Sequence, residues 1–156
     1  MNKIELGNIL DYLIKRGLET IRNNAENVEV VIDYVAIFAK NSHEFNSLNA
    51  IARSMGNEVD KETAKTGHTY LFHKPIKTTV GLLKLIKIRF PDPTRPQRGA
   101  PDFKIRNYQE FKSKYLKKSG NFTLMLKETY EMIEIKGVDV LVYIPSNTLG
   151  ERLETR

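Results

Sequence analysis

Apolar residues recur at three- and four-residue steps near the start of the chain, at Leu6, Ile9, Leu10, Leu13, Ile14, Leu18 and Ile21. That spacing predicts an amphipathic helix within residues 1–27, with Lys15, Arg16, Glu19 and Arg22 on its outer side. Gly17 weakens such a helix by about 1 kcal/mol relative to alanine, which packing of the apolar stripe offsets. The pattern then changes. VEVVIDYVAIFAK (28–40) is a nearly continuous β-branched run and reads as a buried strand. Asn41 or Ser42 caps a following helix whose apolar side is Phe45, Leu48, Ile51 and Ala52, with Gly56 as its stop. NEVDKETAKTG is a polar strand or loop, HTYLFHKPI (68–76) a strand interrupted at Pro75, and LLKLIKIRF (82–90) the strongest strand signal in the chain.

The same order recurs in the second half. PDFKIRN (101–107) is a strand and YQEFKSKYLKKSG a helix with Phe111, Tyr115 and Leu116 on one side. NFTLMLKETY, EMIEIKG and VDVLVYIP are three more strands, the last two joined at Lys136-Gly137. The prediction is an α+β protein of two βαβββ modules in pseudo-twofold repeat, preceded by an N-terminal amphipathic helix. The expected divisions are a helix over 1–27, a first module over 28–93, a proline-rich linker over 94–100, a second module over 101–147 and a polar, fraying tail over 148–156.

Composition narrows the class. Cysteine is absent, which removes disulfides, thiolate metal sites and cysteine nucleophiles. No apolar run reaches the ~20 residues a membrane helix needs, and Glu5, Asn8 and Asp11 break up any signal-peptide core. A cytoplasmic protein, monomeric or homodimeric and without membrane contact, is the expectation. A net charge of +6 allows a nucleic-acid partner, but the basic residues are dispersed, so that partner is not favoured.

Two βαβββ modules in one chain resemble the vicinal-oxygen-chelate superfamily of glyoxalase I, extradiol dioxygenases and bleomycin-resistance proteins. The stretches that carry the resemblance are IDYVAI (32–37), GHTYLFHKPI (67–76), IKIRFPDP (86–93) and APDFKIR (100–106), and they look most like small bacterial members of uncertain role. The resemblance implies paired curved mixed sheets around a cleft. It also implies metal-ligand positions that fall here on Tyr34, Arg89, Asp102 and approximately Val142. Arginine and valine do not ligate a divalent cation, and tyrosine is an uncommon ligand. The expectation is therefore a degenerate site with no metal and no cofactor.

Side-chain alternation puts Lys87 and Arg89 on one face of their strand, with Asp102 and Lys104 facing the same way on the next. Arg89 offers a carboxylate or phosphate two parallel hydrogen bonds, Tyr34 an aromatic wall and Asp102 an acceptor. His73 completes the candidate ligand-binding set of Tyr34, Lys87, Arg89, Asp102 and His73. Solvated or ion-paired basic residues are the plainer explanation of Lys87 and Arg89. His43, His68 and His73 do not converge, Glu131 and Glu134 read as solvated strand positions, and no residue is assigned a catalytic role. The function expected is binding of a small organic molecule, with anions one candidate class, and no catalysis. The alternatives are a lyase or dioxygenase with a displaced metal and a basic nucleic-acid-binding protein.

Overall fold

Three asparagines begin the three longer helices in the same way. Asn2 caps α1 (Lys3–Asn24), Asn41 caps α2 (Ser42–Met55) and Asn107 caps α3 (Tyr108–Tyr115). Each side-chain oxygen accepts from the backbone N–H of the glutamate three residues on, Glu5, Glu44 or Glu110, at 2.8–3.1 Å. The capping oxygen satisfies a backbone donor, and the acidic residue complements the positive end of the helix dipole. The computed structural model describes residues 1–59, 65–118 and 120–154.

Between α1 and the C-terminal end the order is strand, helix and three strands, twice. β1 (Val30–Phe38) precedes α2, which is followed by β2 (Gly56–Val59), β3 (Gly67–Thr78) and β4 (Gly81–Arg89). β5 (Gly99–Ile105) precedes α3, followed by β6 (Phe122–Leu126), β7 (Glu131–Lys136) and β8 (Leu141–Pro145). All eight form one curved mixed sheet in the order β2-β3-β4-β1-β5-β8-β7-β6. In each half the first strand lies parallel to the last, β1 beside β4 and β5 beside β8. The halves meet where β1 and β5 run antiparallel. This is an α+β fold of two βαβββ modules. No helix is long and apolar enough to cross a membrane among the described residues.

The core sits on one face. Leu6, Leu10, Leu13 and Ile21 of α1, Leu48 and Ala52 of α2 and Phe111 of α3 pack there on Ile32, Val35, Ile37, Ile86, Ile88, Phe103, Ile133 and Val142. The other face, called the polar face below, carries Tyr34, Ala36, Phe38, Ala100, Met132, Leu141 and Tyr143.

Several expectations change. Residues 57–59 of NEVDKETAKTG belong to β2, and residues 60–64 lie outside the described residues. Pro75 does not end its strand, because β3 absorbs it in a register shift between Leu71 and Ile76 and runs on to Thr78. β5 begins at Gly99, so the connection spans 90–98 instead of 94–100. Arg98 fixes that end, donating to Glu44 Oε1 at 2.7 Å and to the Phe38 carbonyl at 3.2 Å. Of the expected polar tail, 148–154 is ordered and forms α4 (Leu149–Glu154), with Leu149 and Thr148 buried, while 155–156 lie outside the described residues. A capping box explains this: Thr148 Oγ1 accepts from Glu151 N, while Glu151 Oε1 accepts from Thr148 N, each at 3.1 Å.

Candidate functional site on the polar face of the sheet

A bulge in β1 builds this site. Ile32 opposes Phe103 and Tyr34 opposes Asp102, so Asp33 is the extra residue between them. The insertion reverses the alternation: Ile32 enters the helix-side core, while Tyr34 turns to the polar face. Tyr34 consequently stands beside Asp102 of β5 and Leu85 of β4, and Asp102 stands beside Tyr143 of β8. Four central strands thus each present a residue to one patch. Val142, the expected fourth position, points into the helix-side core, and Tyr143 occupies the polar face in its place.

Asp102 is 2% exposed, and its Oδ1 has no hydrogen-bond partner. Burial pushes its carboxyl well above the usual carboxylate range, and the nearby Asp33 charge adds to this. Arg152, Lys87 and Tyr34 pull the other way without prevailing. The Tyr34 phenol is likewise raised well above its ordinary value, first by burial and then by Asp102. Lys87 is 7% exposed and donates from Nζ to Thr66 Oγ1 at 2.5 Å. Thr69, its cross-strand neighbour, is buried with an unpartnered Oγ1. Solvent exposure therefore does not account for Lys87, whose charge acts on Asp102. Buried polar atoms are almost always hydrogen-bonded, and Asp102 Oδ1 on β5 and Thr69 Oγ1 on β3 are two on this face without a protein partner.

The edges of the patch come from segments that sequence reasoning did not assign to it. Asp33, the bulged residue, accepts from Leu149 N at 2.9 Å and Gly150 N at 3.2 Å, holding the start of α4 against the sheet. Its own carboxyl is raised, because burial outweighs those two bonds. From α4, Arg152 lies over the Tyr130 ring at 3.9 Å from its centroid and donates to the Asn147 carbonyl. A depression of about 410 Å³ adjoins α4, lined by residues that include Asp33, Lys84, Leu85, Lys104 and Glu151. The signal missed was Thr148-x-x-Glu151, a legible helix start. Replacing Asp33 with alanine removes the anchor of α4. The expected loss is about 1 kcal/mol, typical of a lost helix cap. Hydrogen exchange over residues 149–154 checks it, since unchanged protection there would mean that α4 stays docked without Asp33.

The remaining candidates divide. Arg89 shares the polar face, half-buried over the Phe38 ring, with Tyr143 and Tyr34 among its electrostatic neighbours. His73 does not join the patch. It is exposed on β3, and its Nε2 lies 3.3 Å from Asn57 Oδ1 on the edge strand β2. Phe90, the last residue of LLKLIKIRF, is 41% exposed and stacks on Phe45 of α2. Among the described residues no three His, Asp or Glu side chains come together as metal ligands would.

No family model matches the chain, and no curated protein matches it. A solved structure described as "Structural Genomics, Protein EC4020" has the same fold. It aligns with a TM-score of 0.69 at 9% identity, covering 97% of this chain and 93% of that one. At that identity the likeness is one of fold alone.

Proposed function

We propose that this chain is a vicinal-oxygen-chelate-like protein that binds a small organic molecule on the polar face, between its two modules, without a metal and without catalysing a reaction. The observation that carries the reading is Asp102, a buried carboxyl with one oxygen unpartnered, beside Tyr34 and within electrostatic reach of Lys87. A protein under no demand but stability fills such positions with apolar side chains, because an unmet buried polar group costs about 1–3 kcal/mol. Here Asp102 supplies a hydrogen-bonding carboxyl, Tyr34 an aromatic surface and Lys87 a nearby positive charge.

The donor set does not fit the divalent metal that this superfamily implies. Tyr34, Arg89, Asp102 and Tyr143 offer one carboxylate and two phenols whose ionisation burial opposes, together with a fixed guanidinium charge. A cation there meets electrostatic repulsion and too few anionic oxygens. Metal analysis of the purified protein tests this: stoichiometric zinc, nickel, manganese or iron would sink the metal-free reading. A screen of small organic molecules by thermal unfolding tests the site itself. Stabilising compounds are expected to lose their effect in Asp102→Asn and Tyr34→Phe, and compounds equally effective in both variants would place binding elsewhere.

A further inference from the structure

Arg89 leaves the end of β4 on the polar face, its guanidinium 5.1 Å from the Phe38 ring centroid. Arg95 returns to that face from the proline-rich connection, and its Nη1 donates to the Tyr143 hydroxyl at 3.3 Å. The two like charges act on each other. Arg89 is held below its ordinary pKa first by burial and then by the Arg95 charge. Neither arginine makes an ion pair among the described residues. The Asp92 carboxylate acts electrostatically on both arginines without pairing with either, and it and Glu134 are also engaged with other groups. Asp92 Oδ1 accepts from Thr94 N at 2.9 Å and Thr94 Oγ1 at 2.7 Å, and Glu134 Oε2 accepts from the Tyr143 hydroxyl at 3.0 Å.

Beside Arg95 opens a depression of about 320 Å³, lined in part by Lys40, Asp92, Gln97 and Phe38, the ring that Arg89 covers. The Gln97 Oε1 is buried without a partner, and half a turn of that amide presents its NH₂ instead. Two guanidiniums brought together away from water lose hydration and repel each other. An oxyanion between them restores both losses, since each planar fork matches a carboxylate or phosphate edge. We infer that Arg89 and Arg95 clamp the anionic group, a carboxylate or a phosphate, of the molecule bound on the polar face. The clamp rests on the binding role proposed above and assigns a ligand class to it. It also gives the proline-rich connection a task, because prolines on either side of Arg95 limit the directions its backbone can take.

The test titrates inorganic phosphate and, separately, malonate into the full chain at low ionic strength, reading thermal unfolding. Both anions are expected to stabilise the protein, and the stronger of the two shows whether the clamp suits phosphate or carboxylate. In Arg89→Gln and in Arg95→Gln the half-saturating concentration should rise about tenfold or more, as expected for loss of a charge-assisted fork. Lys74→Gln, which removes an exposed lysine from β3, should leave it unchanged. Without anion, Arg95→Gln should unfold at the wild-type temperature or above, because it removes a repulsion. A lower unfolding temperature with an unchanged anion response would make Arg95 merely structural and overturn the clamp, as would a wild-type protein indifferent to both anions. Organic ligands from the screen separate the two ideas. A ligand lost in Asp102→Asn but kept in both arginine variants overturns the clamp and leaves the polar-face site standing. One kept in all three variants overturns both.

Discussion

At pH 8, Asp102→Asn is expected to be more stable than the wild type by about 1–3 kcal/mol, because at that pH the wild type must hold a buried carboxyl protonated or uncompensated, a cost that asparagine does not carry. The sign follows from the direction of the shift. Burial and the Asp33 charge raise the folded-state pKa of Asp102 well above the ordinary 3.8. A carboxyl raised in this way contributes its full stability only below the unfolded value. That contribution is lost as pH rises from about 4 through the folded-state pKa, since the unfolded chain releases a proton that the folded chain retains. Asparagine keeps the shape and does not titrate. The advantage of the variant should therefore shrink as pH falls and vanish near pH 4. Urea unfolding of both proteins at pH 4 and pH 8 measures it. Equal stability at pH 8 would mean that Lys87 and Arg152 already compensate the carboxylate, and the case for a missing guest would fail. The expected result is also a functional argument, because stability given up at a ligand site is a common compromise between binding and folding.

Gly17→Val is expected to destabilise the protein by about 3 kcal/mol or more through overpacking. A Cβ at Gly17 would lie 2.6 Å from Pro101 Cγ and 2.9 Å from Phe103 Cε2, so α1 sits directly on β5 there. Both neighbours are buried in the sheet strand that joins the two modules, and Phe103 is fully enclosed. Valine adds two methyl groups beyond that Cβ, which forces α1 away from the sheet. Gly7 provides the control. It lies in the same helix with nothing within 4 Å of its Cβ position. Gly7→Ala should thus stabilise the protein by about 1 kcal/mol through helix propensity alone, whereas Gly17→Ala should not. Thermal unfolding of the three variants decides the matter. A stabilised Gly17→Ala would show that α1 moves freely over β5.

The elements were legible because each rests on local chemistry. The α1 stripe of Leu6, Leu10, Leu13 and Ile21 is buried as its spacing demands. Asn41 marks the start of α2 as expected, and the same Asn-x-x-Glu pattern stands at Asn2 and Asn107, which apolar periodicity alone did not single out. The repeated strand order yields two modules because parallel pairing of β1 with β4, and of β5 with β8, needs the intervening crossover. The faces of Lys87 and Asp102 also followed from alternation, because neither strand is bulged at that point. The α4 helix was equally local in origin, in its Thr148-x-x-Glu151 box, although a polar composition concealed it.

What the sequence determined by itself was therefore the set of elements, their order and the residue types available to the sheet. Tertiary structure decided which of those residues meet. The bulge at Asp33 sends Ile32 and Tyr34 to opposite faces, and no periodicity in IDYVAI announces it. Pairing across β5 and β8 puts Tyr143 in place of Val142, residues 41 positions distant along the chain from Asp102 being brought alongside it only by the sheet. Arg95 and Arg152 reach the polar face from a connection and from the C-terminal helix, where local spacing carries no information about direction. Helices, caps and strands arise from neighbours a few residues apart. A site assembled from four strands, a loop and a distant helix depends on register and packing, and those are settled only when the whole sheet closes.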